Sequence, residues 1–184
     1  MFHATETLYK AAGVLLEGHS EEALPLLTGA LEAYRATGAG VWLPCFLGIL
    51  GDAYIQAGRL DDARETLNEG LALAERSNEL CQKAELLRLN GELTSLTGSH
   101  KAGAAEDCFR QAIGTAQLQL SKAWELRATT SLARLYQRQG RHPEARQLLS
   151  DIYGWVTEGF DTPDLRSAKA LLDKLDGRDL AGSR

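Results

Sequence analysis

The sequence predicts an all-α protein, an α-solenoid of four helical hairpins followed by a C-terminal capping helix. Two observations predict this class. A pattern of apolar and small residues recurs, and its turn glycines Gly18, Gly58, Gly98 and Gly140 are spaced 40, 40 and 42 residues apart. Only 4 of the 184 residues are proline, which suits a chain of long helices. One hairpin cannot bury its own apolar face, so we expect stacking of the units to form the core.

The second predicted hairpin shows the pattern most clearly. Leu47, Leu50 and Tyr54 recur every three or four positions and therefore line one face of a helix. A glycine turn follows, and a second periodic run begins at Ala63. Glycine in a helix interior costs about 1 kcal/mol against alanine, so Gly51 needs a packing reason. We expect Gly51 and Ala63 to lie where the two helices cross closely.

The repeat divides one predicted domain, 1–184, into four units and a last helix. The units span about 4–38, 41–78, 80–118 and 121–158, and the capping helix spans 162–175. The second helices of the units carry early small residues, Ala23, Ala63, Ala105 and Ala145, spaced 40, 42 and 40 residues apart. A two-residue insertion between Gly98 and Ala105 explains the shift in the series.

Local signals predict where individual helices begin. Unit one is atypical, with Lys10 where unit two has Leu50, as suits an exposed terminal repeat. Ser20 is the predicted N-cap of its second helix. Pro44 suits the first turn of the helix that opens unit two. In the capping helix, Thr162 is the predicted N-cap and the following proline the first residue.

Composition excludes several classes of function. The net charge of −5 argues against general affinity for nucleic acid, which depends on surplus Lys and Arg. No apolar run approaches the roughly 18 residues of a membrane span, and the start of the chain lacks the order of a secretory signal. The three cysteines are scattered and form no C-x-x-C. We therefore expect a cytoplasmic protein.

No catalytic, metal or cofactor site is predicted. The stretch from Gly98 to Gly103 lacks the Gly-Lys-Ser/Thr end of a phosphate loop. His19, His100 and His142 fall in turns of different units. Such turns lie about 10 Å apart per helix spacing, too far to share one zinc ion with ligands near about 2 Å. We predict a protein that is not an enzyme.

The repeated hairpins resemble the tetratricopeptide repeat (TPR), although their period exceeds its usual length of roughly 34 residues. Longer stretches resemble a narrower family. They are Trp42-Leu43-Pro44, Ala84-Glu85-Leu86-x-Arg88-Leu89-x-Gly91-Glu92-Leu93, Trp124-Glu125-Leu126-Arg127-Ala128 with Ser131-Leu132-Ala133-Arg134-Leu135, and Gly159-Phe160-Asp161-Thr162-x-Asp164-Leu165. These look like the C-terminal TPR region of bacterial signalling proteins that join a cyclase or kinase domain to an AAA-like ATPase module. The resemblance implies a tail used for sensing partners or effectors or for assembly, and it does not imply cyclase, kinase or ATPase activity. We expect the chain to be either a fragment of such a protein or a stand-alone relative.

The functional prediction is a surface on the concave side of the stack, lined by the first helix of each unit. The predicted partner-binding groove holds eight polar residues: Asp52, Gln56, Arg88, Glu92, Arg127, Arg134, Gln137 and Arg138. The arginines of unit four form a basic stripe on an acidic protein. This stripe either clamps a carboxylate or acidic peptide, because arginine binds carboxylates bidentately, or pairs with internal acids such as Glu85 and those of the last helix.

Three functions follow as hypotheses. The leading one is a protein-interaction or scaffold module that binds a peptide or protein domain in its groove. The second is a domain that senses a small effector ligand. The third is a homo-oligomerisation module, for example a homodimer. No nucleic-acid or membrane partner is expected.

Overall fold

The computed structural model describes residues 2–98 and 103–177, and in these ranges it is helical and contains no strand. The described helices are α1 (Phe2–Leu16), α2 (Ser20–Ala36), α3 (Leu43–Gln56), α4 (Leu60–Ser77), α5 (Lys83–Leu96), α6 (Ala104–Leu118), α7 (Lys122–Arg138), α8 (His142–Tyr153) and α9 (Pro163–Leu175). One 3₁₀ turn, Leu80–Gln82, precedes α5. The predicted all-α class is confirmed.

The helices pack as four successive hairpins: α1 with α2, α3 with α4, α5 with α6, and α7 with α8. The first helices also contact one another in series, α1 with α3, α3 with α5, and α5 with α7. In the described ranges the backbones of the second helices of different hairpins do not approach one another as closely, although the Arg35 side chain of α2 pairs with Glu69 of α4. The first helices therefore form the crowded inner side of a serial array, which is the arrangement of a solenoid.

Close crossings at glycines hold the second and third hairpins together. A Cβ atom added to Gly51 would lie 2.5 Å from Cδ2 of Leu67, and one added to Gly91 would lie 2.5 Å from Cε1 of Phe109. Leu67 and Phe109 are fully buried, and so is Ala63. The two glycines occupy equivalent places in successive units. The predicted close crossing at Gly51 is confirmed.

Helix α9 continues the series of first helices, because it packs on both α7 and α8. Its buried side chains are Leu165, Ala168 and Leu171. Thr162 is its N-cap residue and Pro163 its first residue, as predicted, although the threonine side chain makes no capping hydrogen bond. This helix covers the end of the fourth hairpin in the way expected of a capping helix.

The predicted N-cap of α2 was wrong by one residue. The helix begins at Ser20, and His19 is the N-cap residue, without a side-chain capping bond. The physical reason lies in the backbone. The carbonyl oxygen of His19 already accepts bonds from the amides of Glu22 and Ala23, at 3.2 and 3.0 Å. The ladder therefore starts one residue earlier than the side-chain pattern suggests.

The hydrophobic core forms two clusters, one from α1 to α5 and one from α6 to α9. Among the described residues, the buried polar and charged ones all lie on two helices, α5 and α7: Glu85, Arg88, Glu125, Thr129, Thr130 and Ser131. These helices contact each other, so a polar layer separates the two apolar clusters on the inner side of the array. This layer positions the candidate site.

Candidate partner-binding groove

Three cavities lie in a row along α7 and define the groove. The first cavity, about 230 Å³, is enclosed mainly by α1, α3, α5 and α7. The middle cavity, about 90 Å³, lies between α5, α7 and α9. The end cavity, about 400 Å³, lies between α7 and α9. Apart from one residue of the 3₁₀ turn, every lining residue belongs to a first helix or to α9.

Six of the eight predicted groove residues line these cavities. Asp52 lines the first cavity and Arg88 the middle one, Arg127 lines both of these, Arg134 lines the middle and end cavities, and Gln137 and Arg138 line the end cavity. The remaining two lie close by without lining a cavity. Gln56 is exposed and hydrogen-bonds Asp52, and Glu92 is half-buried beside Arg88.

A buried ion-pair network joins α5 to α7. Arg88 donates from Nε to Oε2 of Glu85 and from Nη2 to Oε1, each at 2.8 Å. Arg127 donates from Nη2 to the same Oε1, also at 2.8 Å. Glu85 and Arg88 are each only 9% exposed. The Glu85 carboxylate therefore takes three charged hydrogen bonds in a largely water-free layer, where such bonds are strong.

Ser131 extends this network toward Glu92. The Ser131 hydroxyl donates to Oε1 of Glu92 at 2.6 Å, and Nη1 of Arg88 lies 3.4 Å from Ser131 Oγ and 3.5 Å from Glu92 Oε1. Arg127 also lies 3.9 Å from a carboxylate oxygen of Asp164 in α9. Arg88 and Arg127 are therefore paired with acids of this chain, which is the internal pairing considered above as the alternative to a clamp.

The network gives its carboxylates opposite titration behaviour. Burial raises the pKa of Glu85, but the hydrogen bonds and charge of Arg88, with the charge of Arg127, outweigh it and leave the pKa lowered. For Asp52 burial dominates and the pKa is raised, since the charges of Arg88 and Arg127 act without a direct ion pair. Asp52 is thus the less compensated acid.

The end cavity is basic. Arg134 donates to the hydroxyl of Ser167, and Nη2 of Arg138 donates to the hydroxyl of Ser95 at 2.9 Å. Lys174 lines the same cavity, and none of its described lining residues is acidic. Burial lowers the pKa of Arg134. Hydroxyl partners carry no charge, and the acids whose charges reach Arg134, Glu92 and Asp164, do not line this cavity, so its lining is positively charged.

Sequence reasoning missed the contributions of α9 and of the apolar wall. Ser167 and Lys174 line the end cavity, seven positions apart on one face of α9. The sequence held a signal for the contribution of α9, because a helix that continues the series of first helices lies on the same side of the stack as they do. Leu16 and Trp124 line the first cavity. The ring of Trp124 lies 5.3 Å from the guanidinium of Arg127.

Within ranges 2–98 and 103–177, no three His, Cys, Asp or Glu side chains are placed to hold a metal ion. None of the helices in these ranges is long and apolar enough to cross a bilayer. Of the turn segment considered as a phosphate loop, residues 99–102 lie outside the described residues, and so does His100.

Family comparisons agree with this architecture. Family models described as tetratricopeptide repeat match residues 14–85 and residues 126–150. Together these matches cover just over half of the chain. No curated protein matches the sequence.

Solved structures with similar folds include two of a putative kinesin light chain from Podospora anserina with nearly identical TPR-like repeats. One, of a point variant, has a TM-score of 0.66 at 18% identity, and the other has 0.64 at 19%; each match covers 97% of this chain and 89% of that one. BtubC (BKLC) from P. vanneervenii has a TM-score of 0.63 at 17% identity, covering 99% and 91%. At such identities the likeness shows the fold alone. The chain is a tetratricopeptide-repeat domain.

Proposed function

We propose that this TPR domain is a non-enzymatic interaction module whose groove binds an anionic segment of a protein partner. The observation that carries the proposal is the end cavity, where Arg134, Arg138 and Lys174 meet without an acid among the described lining residues. TPR domains generally bind protein partners, and a groove is a common docking place for an extended or helical segment.

The contrast between the arginines supports this assignment. Arg88 and Arg127 are satisfied by Glu85, whereas Arg134 and Arg138 have serine hydroxyls as partners. The guanidinium group suits bidentate binding of a carboxylate, and such a bond is strongest where water is partly excluded. The net charge of the chain is −5, so a local basic surface is a departure from its average.

The setting we propose is a cytoplasmic bacterial signalling protein, in which this domain acts as a regulatory tail. The support is the resemblance of the stretches around Trp42, Trp124 and Gly159 to the C-terminal TPR region of such proteins. The partner is then a peptide or a neighbouring domain of the same assembly. Self-association through the groove is the alternative, and light scattering across a wide concentration range tests it.

Selection of peptides from a random displayed library tests the proposal. Wild-type protein is expected to enrich sequences with Asp and Glu. Their affinity should fall about tenfold or more in Arg134→Gln and Arg138→Gln, since a hydrogen bond to a charged group contributes about 1.5–3 kcal/mol. Fluorescence polarisation measures the affinity, and binding should weaken with added salt.

Arg64→Gln is the matched control. Arg64 lies on α4, pairs with Asp61 at 2.9 Å and lines none of the three cavities. It should bind the selected peptides as the wild type does, and unchanged circular dichroism checks that each variant folds. Peptides without acidic enrichment, or equal affinity in the Arg134 and Arg138 variants, would contradict the proposal.

A second candidate function is recognition of a small effector. The observation in its favour is the first cavity, which is about 230 Å³ and largely apolar around a few polar groups. A ligand that binds the native state raises the melting temperature. A screen of metabolite pools by thermal shift tests this candidate, and the absence of any stabilised melting curve would remove it.

A further inference from the structure

The first cavity combines an apolar wall with one carboxylate that lacks a cation. The wall is formed by Leu15, Leu16, Ile49, Leu86, Leu89 and Trp124. Asp52 also lines this cavity, and it forms no ion pair with any described side chain. Its direct polar partner is Gln56 on the same helix. An acid in such surroundings is recognised best by a group that brings its own positive charge.

The charges around Asp52 are unbalanced. From α5 it faces Glu85 and Arg88, and from α7 it faces Arg127. Both arginines are held by Glu85, and Arg88 is also near Glu92. The charged residues that line the cavity are Asp52, Glu85 and Arg127, so its lining carries one negative charge in excess, and Asp52 has no guanidinium of its own.

We propose that the first cavity takes a lysine side chain of the partner segment, with its aliphatic stem against the apolar wall and its ammonium group at Asp52. This inference rests on the proposed function and deepens it. Lysine combines a four-carbon stem with a compact charge, so it suits an apolar passage that ends at a carboxylate. At about 230 Å³ the cavity is smaller than the roughly 300–1,000 Å³ of usual small-molecule pockets, so its size suits a side chain better than the small effector considered above.

The groove then has two poles, and their separation constrains the partner. Arg127 lines the first cavity and Arg134 the end cavity, about 10 Å apart along α7 at 1.5 Å per residue. The farthest lining residues of α7, Trp124 and Arg138, are about 21 Å apart on the same scale. An extended peptide advances about 3.3 Å per residue. The lysine and the acidic residues of the partner should therefore be separated by about three to six positions.

Defined peptides test this inference on the whole chain. The probe is an acetylated, amidated peptide with lysine, a Gly-Ser-Gly-Ser spacer and two glutamates, made in both chain directions. One counterpart replaces lysine by norleucine, which keeps the stem and removes the charge. A second counterpart replaces both glutamates by glutamine. Nuclear magnetic resonance titration follows the indole N–H signal of Trp124, a residue that lines the first cavity.

The two peptides, with lysine or norleucine, are each measured against the wild type and Asp52→Asn, as in a double-mutant cycle. In the wild type, norleucine should weaken binding about tenfold, and in Asp52→Asn the two peptides should bind equally. Asp61→Asn, on the exposed start of α4, is the matched control and should keep the full preference for lysine. A wild type without preference for lysine, or a preference that survives in Asp52→Asn, would overturn the inference.

Further arms separate this inference from the alternatives. The glutamine peptide should bind the wild type more weakly than the glutamate peptide does. If this loss equals the loss of affinity that Arg138→Gln shows for the glutamate peptide, it supports binding of the glutamates in the basic end cavity, whatever the lysine result. If the glutamates make no difference to affinity but the lysine still does, the first cavity keeps its assignment and the proposed binding of acidic residues at the basic end cavity is overturned. If n-butylamine alone binds as tightly as the lysine peptide, the occupant is a free amine and the lysine assignment fails.

The pH dependence has a defined sign. Burial raises the pKa of Asp52. The pH profile is measured with peptides in which both glutamates are replaced by glutamine, so that they differ only in lysine or norleucine. The lysine peptide should bind more tightly as pH rises through the raised pKa of Asp52, and the norleucine peptide should not. The pKa of Glu85 is lowered, and burial raises the pKa of Cys45 to about 11, so neither titrates in the same window. Equal pH profiles for both peptides would contradict a role for Asp52.

Discussion

Glu85 on α5 and Arg127 on α7 are joined by a 2.8 Å ion pair across 42 positions of sequence. The same carboxylate holds Arg88, so one buried acid connects two successive hairpins on the inner side of the array. This relationship fixes both arginines in place and leaves their charges compensated. It thereby divides the groove into a first cavity, where Asp52 has no ion-pair partner among the described residues, and an end cavity, where Arg134 and Arg138 bond to serine hydroxyls.

Replacing Glu85 by glutamine should destabilise the fold by about 3–5 kcal/mol, because it leaves the buried guanidinium of Arg88 without its carboxylate. Urea unfolding at neutral pH measures the loss. The pKa of Glu85 is lowered in the fold, so its contribution is complete above its unfolded pKa and is lost as pH falls through the folded value. The gap between wild type and variant should therefore close in acid.

The matched control for that experiment is Glu69→Gln. Glu69 pairs with Arg35 through both carboxylate oxygens at 2.9 Å, but both side chains are largely exposed. An exposed pair contributes about 0–1 kcal/mol, so this variant should unfold almost as the wild type does. Equal losses for the two glutamates would show that burial in the α5–α7 layer has no special effect.

Adding a methyl group at Gly91 should overpack the third hairpin. An alanine Cβ there would lie 2.5 Å from Cε1 of Phe109, and we expect a loss of about 1–3 kcal/mol in free energy of unfolding. Gly29 is the control, since an added Cβ in that helix meets nothing within 4 Å. Gly29→Ala should stabilise the protein by about 0.5–1 kcal/mol. Thermal denaturation of both variants measures the difference, and a neutral Gly91→Ala would contradict the crossing.

Asp52→Asn should stabilise the free protein at neutral pH by about 1 kcal/mol, because it removes a half-buried charge without an ion-pair partner among the described residues. The pKa of Asp52 is raised in the fold, so the wild type loses stability as pH rises through that value. The advantage of the variant should appear above the raised pKa and vanish below the ordinary one. Denaturation curves at several pH values measure it, and a destabilised variant would show that Asp52 is a structural acid.

Leu165→Ala should weaken the attachment of α9 and cost about 2–5 kcal/mol, as for other buried leucines. Leu165 is 7% exposed and belongs to the second core cluster. Leu118→Ala is the control, because Leu118 is 89% exposed and should change stability by no more than about 0.5 kcal/mol. Melting temperatures compare the two. If the substitution at Leu165 were as mild as the control, α9 would not act as a cap.

The repeat could be predicted because helix packing leaves a local record in the sequence. The close approach at Gly51 follows from the cost of a glycine inside a helix, and the structure places Leu67 at that point. The inner position of Asp52, Arg127 and Arg134 follows from helical register alone. The N-cap at His19 could not be predicted in this way, because backbone hydrogen bonds determine its position and no side-chain cap marks it in the sequence.

By itself the sequence determined an all-helical repeat, the helices that face inward and the basic stripe on α7, because periodicity specifies the face on which a side chain lies. Only the tertiary structure decided which charges meet. Glu85 neutralises Arg88 and Arg127, while Ser167 of α9 reaches Arg134. The pairings between helices join residues 33 and 42 positions apart in sequence, and no local pattern encodes the distances between such units.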